Sequence, residues 1–205
     1  MESTASYTVR VIFVGNTNVG KTALNSRFLH DEFGDNAPTL TPTSSNITVR
    51  STDGHDVLLQ LWDTAGQERF QSLSQVFYRD ANIALICVDA SDPESFNSVQ
   101  LWRSRALDHE PKCICVIVLT KIDLAMDRRS EIVKLSEEVQ SANSIHDVFF
   151  TSSKTGEGVK ECFGAIATLG VKELTKNIVD LNTTNGTNCV NIDASVNKKK
   201  KKECC

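Results

Sequence analysis

No apolar run in this chain comes near the ~20 residues needed to cross a bilayer. The longest are "ANIALICV" and "CICVIVL". The opening "MESTASYTVR" lacks the apolar stretch of a secretory signal. A cytosolic protein is therefore expected. No CxxC pair occurs among the seven cysteines, and seven is odd, so no disulfide framework is indicated. Cys87, Cys113 and Cys115 sit inside apolar runs and read as buried thiols used as small hydrophobes. A basic body is lacking too. Residues 198–205 carry five Lys and one Glu, a charge of +4, so the other 197 residues carry −8 of the total −4. An acidic body argues against a nucleic-acid-binding domain, and its basic tail suits an anionic surface. No internal repeat is visible.

What is present is an ordinary globular composition, 40% hydrophobic and 23% charged, at a length that suits one domain with some excess. Strand-like runs alternate with helix-like stretches. "YTVRVIFVG", "IALICVDA", "CICVIVLT" and "DVFFTSS" read as strands, and "NITVRS" with "DVLLQLWD" as a hairpin about Asp53-Gly54. Helices are expected from Gly20, after Asp92-Pro93, near 129–143 and over 158–175. This alternation predicts an α/β fold with a mainly parallel sheet covered on both faces. Residues 1–175 form the predicted domain. From 176 to 205 an Asn- and Thr-rich stretch has no usable periodicity and reads as a flexible tether.

"GNTNVGKT", residues 15–22, follows the first strand and opens a helix, matching G-x-x-x-x-G-K-S/T in the required context. Such a loop wraps phosphate with inward N–H groups at a helix N-terminus. Asn18, Val19, Gly20, Lys21, Thr22 and Ala23 are the phosphate-site candidates. Gly20 lets the backbone come close, Lys21 reaches the β- and γ-phosphates, and the Thr22 hydroxyl is a Mg²⁺ ligand. The loop establishes a nucleoside triphosphate site and does not choose between ATP and GTP.

"LQLWDTAGQERF", residues 59–70, places Asp63 where P-loop proteins hold Mg²⁺. Together with "FYRDA" (77–81), this segment resembles the second switch of small GTPases, and the Rab branch in particular. The resemblance covers residues 8–175 and the tail. It implies a P-loop small-GTPase fold: a six-stranded, mostly parallel sheet with one antiparallel strand, and five helices. It implies that the Gly66 N–H turns to the γ-phosphate and that Gln67 orients the attacking water. "TKID", residues 120–123, resembles the family's base-reading N-K-x-D, with Thr120 for Asn. By resemblance Asp123 accepts from guanine N1–H and N2–H₂ and selects GTP/GDP, while the Lys121 stem lies over the base. Thr120 is shorter than the Asn that ties this loop to the phosphate loop, so a modest loss of nucleotide affinity is expected. "TSSKTGEG", residues 151–158, resembles the S-A-K loop, placing Ser152, Ser153 and Lys154 at the base, with the Ser153 and Lys154 N–H groups toward guanine O6. Phe33 occupies the place of an aromatic that covers the guanine ring, against the alternative of plain core packing.

The match departs from the family in the first switch. "APTLTPTSSN", residues 37–46, offers Thr39 or Thr41 as the Mg²⁺ ligand, and Thr39-Leu40 is the better fit to Thr-Ile. The glycine that follows is absent and Pro42 stiffens the segment. The third member of a surface aromatic triad, beside Trp62 and Phe77, is replaced by Ser44 or Ser45. Thr17 and Asn18 stand beside the γ-phosphate and are expected to slow hydrolysis.

The resemblance implies a monomeric GTP/GDP-cycling switch of vesicle trafficking, slow to hydrolyse alone, served by an exchange factor, an activating protein and effectors. A slowly or non-hydrolysing adaptor of the same fold is the alternative. A P-loop ATPase or small kinase conflicts with Asp123 and "DTAGQ". The end "KKKKKECC" is not C-a-a-X and resembles a Rab prenylation signal. That implies geranylgeranyl groups on Cys204 and Cys205, added by a geranylgeranyl transferase with an escort protein and shielded by a dissociation inhibitor. The expected location is the cytoplasmic face of an endomembrane, with a soluble cytosolic pool.

Overall fold

The computed structural model describes residues 7–34, 39, 42–64 and 77–184, with side chains as far as Lys176. Six strands form one sheet in the order β2-β3-β1-β4-β5-β6. These are β1 (Tyr7–Val14), β2 (Thr43–Arg50), β3 (Asp56–Asp63), β4 (Ile83–Asp89), β5 (Ile114–Thr120) and β6 (Val148–Phe150). Only β2 runs antiparallel, against β3. The turn residues give the reason: Gly54 adopts φ 85° and its N–H donates to Ser51 O at 3.0 Å, closing the expected hairpin. The other pairings are parallel.

Four α-helices occur among the described residues: α1 (Lys21–His30), α2 (Val99–His109), α3 (Arg129–Ala142) and α4 (Val159–Thr184). The expectation was five; residues 65–76 lie outside the described ones. Asp92 does cap, accepting from the Glu94 N–H at 3.1 Å, but it opens a 3-10 turn, Pro93–Ser98, that hands over to α2. The last helix runs to Thr184, beyond the expected end at 175, because continuation of the hydrogen-bonded ladder outweighs the weak propensity of Asn and Thr. By compactness the chain divides into Met1–Lys172, which holds the sheet, and Glu173–Cys205. Among the described residues no helix is long and apolar enough to cross a membrane.

The parallel strands are buried on both faces, as their near-continuous apolar runs require. One face carries Phe13, whose ring lies 6.2 Å from Phe163 of α4, which in turn stacks on Phe28 of α1 at 3.7 Å. Gly170 permits the close approach of α4, since a Cβ there would lie 2.5 Å from a methyl of Val9. On the other face Ile12, Val14, Ile86, Val88 and Ile117 pack with Trp102 and Ala106 of α2 and Ile132 of α3. Burying each Val or Ile side chain of this set stabilises by about 1.5–3 kcal/mol. Cys87, Cys113, Cys115 and Cys162 are buried free thiols within this packing, and burial pushes the Cys87 thiol up to about 12. Because five strands run the same way, their carboxyl ends gather along one edge of the sheet, where ligands bind in open α/β folds.

Candidate functional site

Four strand ends build the site. β1 ends in the loop 15–20. Gly15 has φ 141° and lies so close to β4 that a Cβ would sit 2.5 Å from the Cys87 carbonyl oxygen. Gly20 takes φ 93° and leads directly into α1. The Leu24 N–H donates to Gly20 O at 2.9 Å, closing the first turn and leaving the N–H groups of Lys21, Thr22 and Ala23 at an open helix N-terminus. Val19 is buried beneath the loop, and Asn18 takes φ 64°, a left-handed conformation that asparagine tolerates.

Lys21 is buried, and its Nζ donates to Gly15 O at 2.8 Å and Asn16 O at 2.7 Å. Burial lowers its pKa, opposed by Cys87 and Asp63. Asp63, at the end of β3, is 1% exposed. Neither carboxylate oxygen has a hydrogen-bond partner among the described residues. Burial raises the Asp63 pKa, opposed by the neighbouring Thr22 hydroxyl and the Lys21 ammonium. The Thr22 hydroxyl lies 2.5 Å from the Thr39 hydroxyl. A buried carboxylate with no partner among the described residues, beside two convergent hydroxyls, is an all-oxygen donor set that fits Mg²⁺. No group of three or more His, Cys, Asp or Glu that could hold a metal occurs among the described residues. An ion held by hydroxyls, one carboxylate and phosphate does not need one. Thr41, the other switch candidate, lies outside the described residues, as do Gly66, Gln67, Cys204 and Cys205.

β5 supplies the second half. Thr120 is 1% exposed, and its Oγ1 lies 2.5 Å from Val19 O and 3.1 Å from Val88 O. The shorter side chain therefore still reaches the phosphate loop. Lys121, at φ 56°, extends its Nζ to Asn18 O at 2.8 Å and to Asp89 Oδ2 at 2.7 Å. Asp123 Oδ1 accepts from the Ser152 hydroxyl at 2.6 Å, which joins the β5 loop to the β6 loop. Ser152 and Ser153 are buried and Lys154 is exposed. Phe33 is 52% exposed, which excludes core packing, and stands past the end of α1.

Three long-range links had no local signal in the sequence. Trp102 Nε1 of α2 donates to Asn16 Oδ1 at 2.9 Å, bracing the phosphate loop from the helix side. Asp89 pairs with Lys121 across 32 positions. Arg27 of α1 donates from Nε to Ser153 O at 2.5 Å and from Nη2 to Lys154 O at 2.6 Å. On the outer sheet, Ser44 lies directly opposite Trp62 and Ser45 opposite Leu61 in the β2–β3 register. Trp62 keeps its ring 6.0 Å from Phe77, with the Arg10 guanidinium 4.2 Å from the Trp62 ring centroid.

The sequence profile of the Ras family matches residues 10–172. "Ras-related protein Rab-24" of Dictyostelium discoideum is 36% identical over 200 residues, 96% of this chain and 96% of that protein. "Ras-related protein Rab-21" of Mus musculus is 35% identical over 160 residues, 77% of this chain and 71% of that one. "GTP-binding protein ypt5" of Schizosaccharomyces pombe is 34% identical over 160 residues, covering 77% of this chain and 75% of its own.

Proposed function

The chain belongs to the Rab branch of the Ras family of small GTPases, and from that premise we propose how its residues run a GTP-timed switch on a membrane. It binds guanine nucleotide and hydrolyses GTP to GDP and phosphate, as its family does, and its family works with exchange factors, activating proteins and effectors. The rest is our reading of this chain.

The phosphates lie in the loop 15–20 against the N–H groups that open α1. Lys21 reaches the β- and γ-phosphates and offsets their negative charge. Thr22, Thr39 and Asp63 would hold Mg²⁺, which when bound neutralises charge on the phosphate oxygens. Gly66 presents its N–H to the γ-phosphate and Gln67 orients the attacking water; both roles rest on the motif alone. Asp123 reads guanine N1–H and N2–H₂, the Ser153 and Lys154 N–H groups face O6, Lys121 lies over the base, and Phe33 covers the guanine ring. The observation that carries the reading is the Asp63 carboxylate, buried and, among the described residues, without a hydrogen-bond partner within bonding geometry, beside the paired Thr22 and Thr39 hydroxyls. Such a group persists where a ligand completes it.

Loss of the γ-phosphate releases the segments around Thr39 and Gly66, which ends effector binding. Unassisted small GTPases turn over at roughly 10⁻⁴ s⁻¹, and an activating protein adds ~10⁵-fold. Geranylgeranyl groups on Cys204 and Cys205 anchor the chain, since two lipids hold where one is marginal. Lys198 to Lys202 add about 1 kcal/mol each near an anionic leaflet. An escort protein, a geranylgeranyl transferase and a dissociation inhibitor are the partners of that tail, the location is the cytoplasmic face of an endomembrane, and the process is vesicle trafficking. Single-turnover hydrolysis with and without a Rab-activating domain tests the enzyme against the adaptor. Acceleration that Gln67→Leu abolishes supports the enzyme. No turnover in either case supports the adaptor.

A further inference from the structure

We infer that Arg27 is a positioning residue for guanine recognition, acting through two peptide planes of the 151–158 loop without touching the nucleotide. The inference rests on the base-site reading given above.

Arg27 sits on the site-facing side of α1, its side chain 16% exposed. Its guanidinium donates to four oxygens: from Nε to Ser153 O at 2.5 Å, from Nη2 to Lys154 O at 2.6 Å, and from Nη1 to Asp31 O at 2.8 Å and Asp31 Oδ1 at 3.0 Å. The ion pair is not the reason for this arrangement. The Asp31 side chain is 76% exposed, and such surface pairs contribute little. The two loop carbonyls are the distinctive partners. A planar guanidinium suits two acceptors presented side by side, which an ammonium does not.

A trans peptide is planar, with its C=O and N–H pointing in opposite directions. The Ser153 carbonyl shares its plane with the Lys154 N–H. Holding that carbonyl on Arg27 therefore turns the Lys154 N–H to the other side of the loop. Among the described residues this N–H donates to no backbone carbonyl, and it is one of the two groups assigned to guanine O6. The Lys154 carbonyl shares its plane with the Thr155 N–H, which donates to Ser152 Oγ at 3.2 Å. Ser152 Oγ in turn donates to Asp123 Oδ1 at 2.6 Å. One guanidinium thus fixes the direction of the O6 donor and, through Ser152, the orientation of the carboxylate that reads the adjoining N1–H and N2–H₂ groups on the same edge of the base. Gly156, at φ 84°, closes the loop by donating its N–H to Ser152 O at 2.8 Å, and its position for a Cβ lies 4.0 Å from Arg27 Nε.

The test measures release of GDP, 6-thio-GDP, IDP and ADP from the full chain, and of the first three from Arg27→Met and Arg27→Lys. 6-Thio-GDP carries a weaker acceptor at position 6, and IDP lacks the amino group that Asp123 reads. The wild type is expected to hold GDP more tightly than either analogue. In Arg27→Met, GDP release quickens about tenfold and 6-thio-GDP, whose acceptor at position 6 is already weak, changes by less than about threefold, while IDP, which keeps O6 and N1–H, falls between the two. Arg27→Lys restores less than half of the difference on a logarithmic scale. Should Arg27→Met fail to fold, Arg27→Lys carries the same comparison. Equal acceleration for all three nucleotides would show that Arg27 merely holds the fold, and would overturn the inference. A wild type that does not prefer GDP to ADP would instead overturn the base-site reading itself.

Discussion

Thr120→Val isolates one buried hydroxyl. Valine keeps the shape and packing of threonine while removing Oγ1, which lies 2.5 Å from Val19 O and 3.1 Å from Val88 O at a position 1% exposed. One proton serves both acceptors, and the shorter bond takes it. The substitution leaves the buried Val19 carbonyl facing a methyl group, which costs about 1–3 kcal/mol. Val19 precedes Gly20 and Lys21, so the loss falls on the loop that holds the phosphates. At about 2 kcal/mol, release of GDP quickens on the order of 30-fold. The assay is displacement of a fluorescent GDP analogue by excess GDP, paired with thermal melting of the same samples. Melting lowered with release unchanged would show that the hydroxyl supports the fold and not the site. No change in either would show that the tie does not form. The companion variant Thr120→Asn supplies the longer side chain and is expected to alter release by less than about threefold, since the threonine tie already reaches the phosphate loop.

Asp63→Asn separates the metal role from stability. The raised Asp63 pKa means that the folded, nucleotide-free protein holds this proton more tightly than the unfolded chain does. The stability this group contributes is full below the unfolded value and is lost as pH rises through the folded one. Nucleotide-free Asp63→Asn is therefore expected to melt at or above the wild type at pH 7, with the gap closing as pH falls toward 4, the ordinary carboxylate range; with GDP and Mg²⁺ present the order reverses. Gly15→Ala should abolish nucleotide binding and lower melting by several degrees, because φ 141° and the Cys87 carbonyl 2.5 Å from the new Cβ force a shift of the loop or of β4. Soluble expression and nucleotide titration would check this. Cys204→Ser with Cys205→Ser should leave nucleotide binding intact and release the protein from membranes on fractionation; persistent association would contradict the anchor.

The legible parts of the site are contiguous in the chain. The phosphate loop, "TKID" and "TSSK" each lie within eight residues or fewer, where a strand end and the turn after it place their groups locally, and Asp63 closes its strand; Gly66 and Gln67 lie outside the described residues. The strands were readable for a related reason: parallel strands buried on both faces must be apolar throughout, as "ALICV" and "CVIVL" are. What could not be read joins distant positions. Arg27 meets Ser153 across 126 residues, Trp102 meets Asn16 across 86, and Lys121 meets Asp89 across 32. Each depends on how a helix or strand end seats in the folded sheet, which no local spacing encodes. The choice between Ser44 and Ser45 opposite Trp62 needed the β2–β3 register, and a one-residue slip would exchange them. The end of α4 was misplaced because Asn and Thr weaken a helix that the preceding turns nonetheless propagate.

The most direct test of the central claim is nucleotide selectivity with and without magnesium, measured on the purified chain by release of fluorescent GDP. The account predicts that GTP and GDP displace the probe, that ATP and ADP do not, and that chelating Mg²⁺ accelerates release at least about tenfold, as removal of a charge-assisted ligand set requires. Displacement by ATP as readily as by GTP would contradict the role of Asp123. Release indifferent to chelation would contradict the roles of Thr22, Thr39 and Asp63.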